Sequence, residues 1–189
     1  MTDSPARGGK RARLVASALD LLYRQGVART TLADVAEAAD VPVGNVYYYF
    51  KTKDALVEAV IDAHAEGLRA MFTSFEQHRD PRARLKAFVR SRAQTGEYAA
   101  SYGCPHGSLC QELSKRTDQP DGTSATLMAI YVDWSAEQFR LMGARDERDL
   151  AVTLIAGVEG AALLANTFHD PELMARQAQQ LERWLDSLP

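Results

Sequence analysis

The chain has 189 residues, 46% of them apolar and 25% charged, a globular mix that excludes disordered and collagen-like classes. Its net charge of −3 hides a split, because residues 1–53 hold eight basic and five acidic residues and the remainder is net acidic. Two cysteines, Cys104 and Cys110, form no disulfide framework, and Glu159 interrupts the longest apolar stretch, Leu150 to Ala165; a cytoplasmic protein with no membrane partner is expected.

Helical periodicity runs through the chain. Leu14, Val15, Ala18, Leu19 and Leu22 form one stripe, and Gly26 is expected to stop that helix. Thr31 with Asp34 reads as a capping box opening a second, short helix that carries Leu32, Val35, Ala36 and Ala39. Pro42 breaks the chain, and a third short helix follows over about 43–50. Thr52 caps a fourth helix of about 24 residues, roughly 36 Å long. Further helices are expected at about 82–98, 105–116, 123–143, 146–167 and 171–187, separated by Gly103, Pro120-Asp121-Gly122, Gly143 and Asp170-Pro171. No stretch alternates with period two, so the fold class is all-α. The basic N-terminal stretch MTDSPARGGKRAR has no apolar run behind it and does not read as a secretory signal.

Two short helices joined by a tight break and braced by a longer one make a helix-turn-helix outline. On the third helix, Val43, Val46, Tyr47 and Phe50 are expected on the packed side and Gly44, Asn45, Tyr48 and Tyr49 on the outer side. Two tyrosines that a core cannot bury suit a surface meeting phosphates, while Gly44 permits close approach and Asn45 can read base edges. The competing reading packs those tyrosines on a neighbouring helix. Lys53, in the first turn of the fourth helix, opposes the helix dipole unless a phosphate lies there.

The run TTLADVAEAADVPVGNVYYYFKTKDAL, from Thr30 to Leu56, resembles the signature of TetR-type transcriptional repressors. The resemblance implies a DNA-binding domain over residues 9–67 and a helical effector-binding and dimerisation domain over residues 68–189. It implies phosphate contacts from Thr31, Tyr47, Tyr48, Tyr49 and Lys53, with Val43, Gly44 and Asn45 nearest the bases. Arg11 and its basic neighbours could add contacts or simply be solvated. The implied protein is a homodimeric repressor on a pseudo-palindromic double-stranded operator, released by a small apolar or reactive effector, without cofactor or metal and not an enzyme.

In the second part, aromatic and methionine residues are spread over the middle helices. They read either as core or, by the resemblance, as an effector pocket lined by His64, Phe72, Phe88, Tyr98, Tyr102, Cys104, Met128, Tyr131 and Trp134. The stretch Gly103 to Leu113 is similar to a TetR subgroup with a G-C-x-x-G-x-L-x-x-E-L motif, some members of which sense oxidants or electrophiles through the cysteine. Cys104, just before a helix start, is expected to have its thiol pKa lowered by the dipole, as a redox sensor needs. Otherwise it is a small buried residue at a turn. Ser108 and Gln111 have capping-box spacing. The small residues Gly157, Gly160, Ala161, Ala162 and Ala165 permit close helix approach, and the resemblance implies that the last two helices, the final one with an apolar face, pair with their twofold mates. The alternative function is a helical ligand-binding or enzymatic protein that has lost DNA binding, against which stands the lack of any nucleophile–base, phosphate-loop or metal-ligand pattern.

Overall fold

The computed structural model describes residues 9–115 and 125–189. Arg7 and the start of the basic arm, the Pro120-Asp121-Gly122 turn and the first residues of the helix expected at 123–143 lie outside the described residues. Within them the chain forms α1 (Lys10–Arg29), α2 (Leu32–Ala38), α3 (Val43–Tyr49), α4 (Lys53–Phe75), α5 (Pro81–Ala93), α6 (Gly96–Tyr102), α7 (Pro105–Ser114), α8 (Thr126–Leu141), α9 (Glu147–Phe168) and α10 (Glu172–Ser187), with no strand among them.

The local rules that open and close these helices are visible atom by atom. Thr31 accepts from Asp34 N while the Asp34 carboxylate accepts from Thr31 N, so both halves of the capping box are made. Thr52 accepts from Ala55 N at the head of α4, and Asp80 accepts from Arg82 N and Ala83 N ahead of Pro81 in α5. Gly26 takes φ 81, which breaks α1, although one further turn, Val27 to Arg29, continues beyond the kink.

The helix expected at 82–98 is two helices. Gln94 and Thr95 form the joint, and Gly96 opens α6 in a space where a Cβ would stand 2.8 Å from the carbonyl oxygen of Pro171. The capping box expected at Ser108 and Gln111 is also corrected. Cys104 is the N-cap of α7, its sulfur accepting from Gly107 N, so Ser108 lies inside the helix.

One apolar core runs from the three N-terminal helices through α4 into the body, with Leu14, Ala18, Val35, Val46 and Phe50 at one end and Phe88, Tyr131, Phe139 and Leu154 at the other. α4 is the shared wall, packing on α1 of the head and on α5 and α8 of the body, with Phe72 against the body's aromatic rings. In the body α8 packs on α9, α10 on α5 and α9, and α6 on α9, while α1 packs on both α4 and α7. A smaller cluster of Ala99, Cys104, Ala161, Ala162, Ala165 and Met174 closes the α6–α9–α10 corner.

By length and composition alone α9 is apolar enough to cross a membrane, a property that the core helix of a soluble protein shares. Its apolarity has two sources. Ala151, Leu154, Val158 and Ala165 pack into the body, while Val152, Leu163, Leu164 and Phe168 form an exposed apolar stripe.

Candidate nucleic-acid interface and buried polar centre

α3 is held to the head by few side chains. Val46 and Phe50 are buried, Phe50 N closes the last turn onto Val46 O, and Asn45 N donates to Pro42 O at 2.8 Å. Apart from Asn45, the rest of this seven-residue helix is exposed. Tyr48 is 75% exposed, Tyr47 50% and Val43 45%. The expected packed side is therefore corrected: Val43 and Tyr47 stand at the rim, because a helix this short reaches the core through one ridge. A Cβ on Gly44 would meet nothing within 4 Å, which leaves the backbone open to a partner's close approach. Tyr48 and Tyr49 meet edge to face at 5.0 Å, and Asn45 is half-buried beside them.

The flanking elements add cations and hydroxyls. Thr31 is exposed at the start of α2. Lys53 Nζ donates to Ala28 O at 3.3 Å, which anchors the ammonium beside the turn leading into α2. The Arg11 guanidinium lies over the Phe50 ring at 5.3 Å. Exposed tyrosines, a bare backbone and basic groups at two helix starts form a surface that can donate to phosphates and admit base edges.

A second centre lies inside the body. Phe72 of α4 stacks on Trp134 of α8 with ring centroids 4.2 Å apart and meets Phe88 of α5 at 5.8 Å and Tyr131 at 5.6 Å. At its edge Tyr131 Oη and His106 Nδ1 lie 2.8 Å apart, and His106 Nε2 and His64 Nδ1 lie 3.0 Å apart. This chain joins α8, α7 and α4. Burial pushes the His106 pKa down to about 3, helped by His64 and Arg92, and pushes His64 down to about 4. The Tyr131 hydroxyl is raised by burial. The three groups are neutral near pH 7, as a hydrogen-bonded chain without a counter-ion requires. Trp134 Nε1, Arg92 Nε and Ser135 Oγ are buried with no hydrogen-bond partner among the described residues.

Of the residues expected around a pocket, His64, Phe72, Phe88, Tyr131 and Trp134 are brought together here, and half-buried Met128 packs against the same core. Tyr98 is 63% exposed, and Tyr102 packs edge-on against Tyr23 of α1 at 5.4 Å; neither ring meets the aromatic cluster.

Cys104 lies elsewhere, on the floor of a cavity of about 180 Å³ lined also by Ser108, Gln111, Glu159 and Asn166. Its thiol donates to Glu159 Oε1 at 3.1 Å. The expected lowering of its pKa is corrected: burial, with the Glu159 charge beside it, pushes the thiol up to about 12. Desolvation outweighs one helix terminus. Burial raises Glu159 as well. Among the described residues no three His, Cys, Asp or Glu side chains are grouped to hold a metal ion.

Sequence reasoning missed the residues that join head to body. The Glu112 carboxylate of α7 accepts from Val27 N at 2.8 Å and Ala28 N at 2.7 Å. The Tyr23 hydroxyl lies 3.0 Å from Tyr98 O and 2.9 Å from Gly103 O. The break at Gly26 was the available signal, since a kinked helix frees backbone N–H groups that need an acceptor.

Comparison with known proteins places this surface in context. A profile described as bacterial regulatory proteins, tetR family, matches residues 14–60, the α1–α4 head. The transcriptional regulator AcuR of Cereibacter sphaeroides is 30% identical over 167 residues, 80% of this chain and 74% of that one. The regulator TtgR of Pseudomonas putida is 47% identical over 53 residues, and the chain matches only 25% of its length. A solved TetR transcriptional regulator from Legionella pneumophila superimposes with a TM-score of 0.81 at 19% identity, covering 98% of each chain.

Proposed function

This chain belongs to the TetR family of bacterial regulatory proteins and is a DNA-binding transcriptional regulator; from that premise we propose that it is a homodimeric repressor released from its operator by a small effector. The observation that carries the DNA-contact assignment is the outer face of α3, where Tyr47, Tyr48 and Val43 are exposed around an unobstructed Gly44. No packing among the described residues accounts for that face. In this reading Thr31, Tyr47, Tyr48, Tyr49 and Lys53 take phosphates, and Val43, Gly44 and Asn45 lie against base edges. Residues 9–67 form the DNA-binding unit and residues 68–189 the effector and dimer unit.

The effector site is the centre between α4, α5, α7 and α8. Support comes from its aromatic walls, the neutral His64–His106–Tyr131 chain and the unpartnered indole and guanidinium N–H groups. An apolar or reactive molecule with one hydrogen-bonding group fits that chemistry. Because α4 carries both His64 and the capped start beside Lys53, an effector that binds better when α4 is shifted would favour the state with low DNA affinity.

The test is fluorescence anisotropy with labelled DNA flanking the protein's own gene, at about 150 mM salt with excess competitor. Tight, competitor-resistant binding is expected. Tyr48→Ala and Lys53→Ala should weaken binding to every sequence, and Lys53→Ala, which removes a cation, should also reduce the salt slope by about one. Unchanged affinity in both variants would overturn the assignment of the DNA face.

A further inference from the structure

We propose that Glu112 is a positioning residue of the DNA head: from α7 of the body its carboxylate holds the turn after Gly26 and so fixes where α2 and Lys53 stand. The proposal rests on the DNA-binding reading and adds to it the link by which the body sets the head.

Gly26 at φ 81 turns the chain off the α1 axis, so the next amides have no carbonyl one turn back to bond. Both Glu112 oxygens fill that need, Oε2 accepting from Val27 N and Oε1 from Ala28 N. The fit is close enough that a Cβ on Gly26 would stand 2.9 Å from Glu112 Oε2. The same short turn then reaches the DNA side. Ala28 O accepts from Lys53 Nζ at the start of α4, and Thr30 Oγ1 donates to Gly26 O directly before the Thr31 cap of α2. From Glu112 to Lys53 the path is thus a carboxylate, the backbone of one residue, Ala28, and an ammonium.

On the body side, the helix that bears Glu112 also bears His106, which reaches His64 and Tyr131, and begins at Cys104. Tyr23, one turn earlier on α1, is tied to the carbonyls of Tyr98 and Gly103 just ahead of that helix. A rotation or slide of α7 therefore reaches the head through Glu112 as well as through the bond of His106 to His64 of α4.

Glu112→Gln keeps the shape but leaves one acceptor oxygen and sets an NH₂ against a backbone N–H. Two measurements on the full-length protein decide the proposal, each against the unaltered chain. One is hydrogen exchange of Val27 and Ala28; the other is anisotropy with the DNA flanking its gene. Expected are exchange at least tenfold faster and DNA affinity at least fivefold weaker, with the thermal midpoint and native mass retained. Gly26→Ala, which crowds the same carboxylate, should act in the same direction. Unchanged exchange, or faster exchange with undiminished DNA affinity, would overturn it. Should Glu112→Gln fail to fold, Glu112→Asp, which keeps the charge but is a methylene short, takes its place under the same criteria. If the unaltered protein ignores the fragment, the operator reading fails, and the exchange result alone decides the Glu112 strap.

Discussion

His106 shows how a single residue can be placed by sequence and still be misjudged. The run around it, from Gly103 to Leu113, was legible as distinctive, and His64 and His106 were legible as polar groups among aromatics. Their bond to each other was not, because they are 42 residues apart and meet only when α4 and α7 pack. For Cys104 two readings were open, a thiol lowered by the helix start and a small buried residue at a turn, and the structure has the buried one, whose desolvation raises the thiol pKa. The histidine chain has a consequence for stability. An unfolded histidine titrates near 6.5, whereas burial holds His106 at about 3 and His64 at about 4. The unfolded chain therefore binds the extra protons as pH falls below 6.5, and stability from these groups is complete above 6.5 and lost towards pH 4 and below. At pH 5 His106 alone should subtract at most about 2 kcal/mol. Urea unfolding at pH 7 and pH 5 should show that drop, and His106→Gln should shrink it. An equal drop in the variant would mean that other groups carry the acid sensitivity.

The helices themselves were largely readable, because caps, prolines and apolar spacing are local. Thr31, Thr52 and Pro81 begin helices as their residue types require. What escaped was the division of the helix expected at 82–98, whose cause lies more than 70 residues away in the carbonyl of Pro171 pressed against Gly96. This contact makes a pair of opposite predictions. Gly96→Ala places a Cβ 2.8 Å from a backbone oxygen that cannot rotate away, so it should cost about 1–3 kcal/mol and lower the thermal midpoint by several degrees. Gly44→Ala puts its Cβ into open space inside a helix, so it should stabilise by about 0.5–1 kcal/mol. Calorimetry on the two variants separates them. A neutral Gly96→Ala would mean that α6 and α10 can move apart freely, and the two-helix arrangement would lose its explanation.

For the molecule as a whole, the unexplained surface is the outer face of α9 and α10. Leu163 is 66% and Phe168 67% exposed, far more than isolated surface residues of an apolar type require. Between the two helices runs a groove of about 340 Å³ lined by Ala156, Gly160, Leu164 and Leu173. Gly160 has nothing within 4 Å of where a Cβ would lie, so a second helix can approach its backbone closely. A twofold copy of the same face would supply ridges for these grooves and cover the stripe that otherwise makes α9 resemble a membrane span. Two heads held by such a bundle would meet successive major grooves roughly 34–36 Å apart. Leu164→Asp places a charge in the middle of that face while leaving both α3 surfaces intact. Sedimentation equilibrium at micromolar concentration should then give half the native mass. DNA carrying two half-sites should bind at least tenfold more weakly, with the weak binding of a single head retained. A variant that keeps its mass would move the dimer face away from α9, and an unaltered protein that sediments as one chain would remove the dimer altogether.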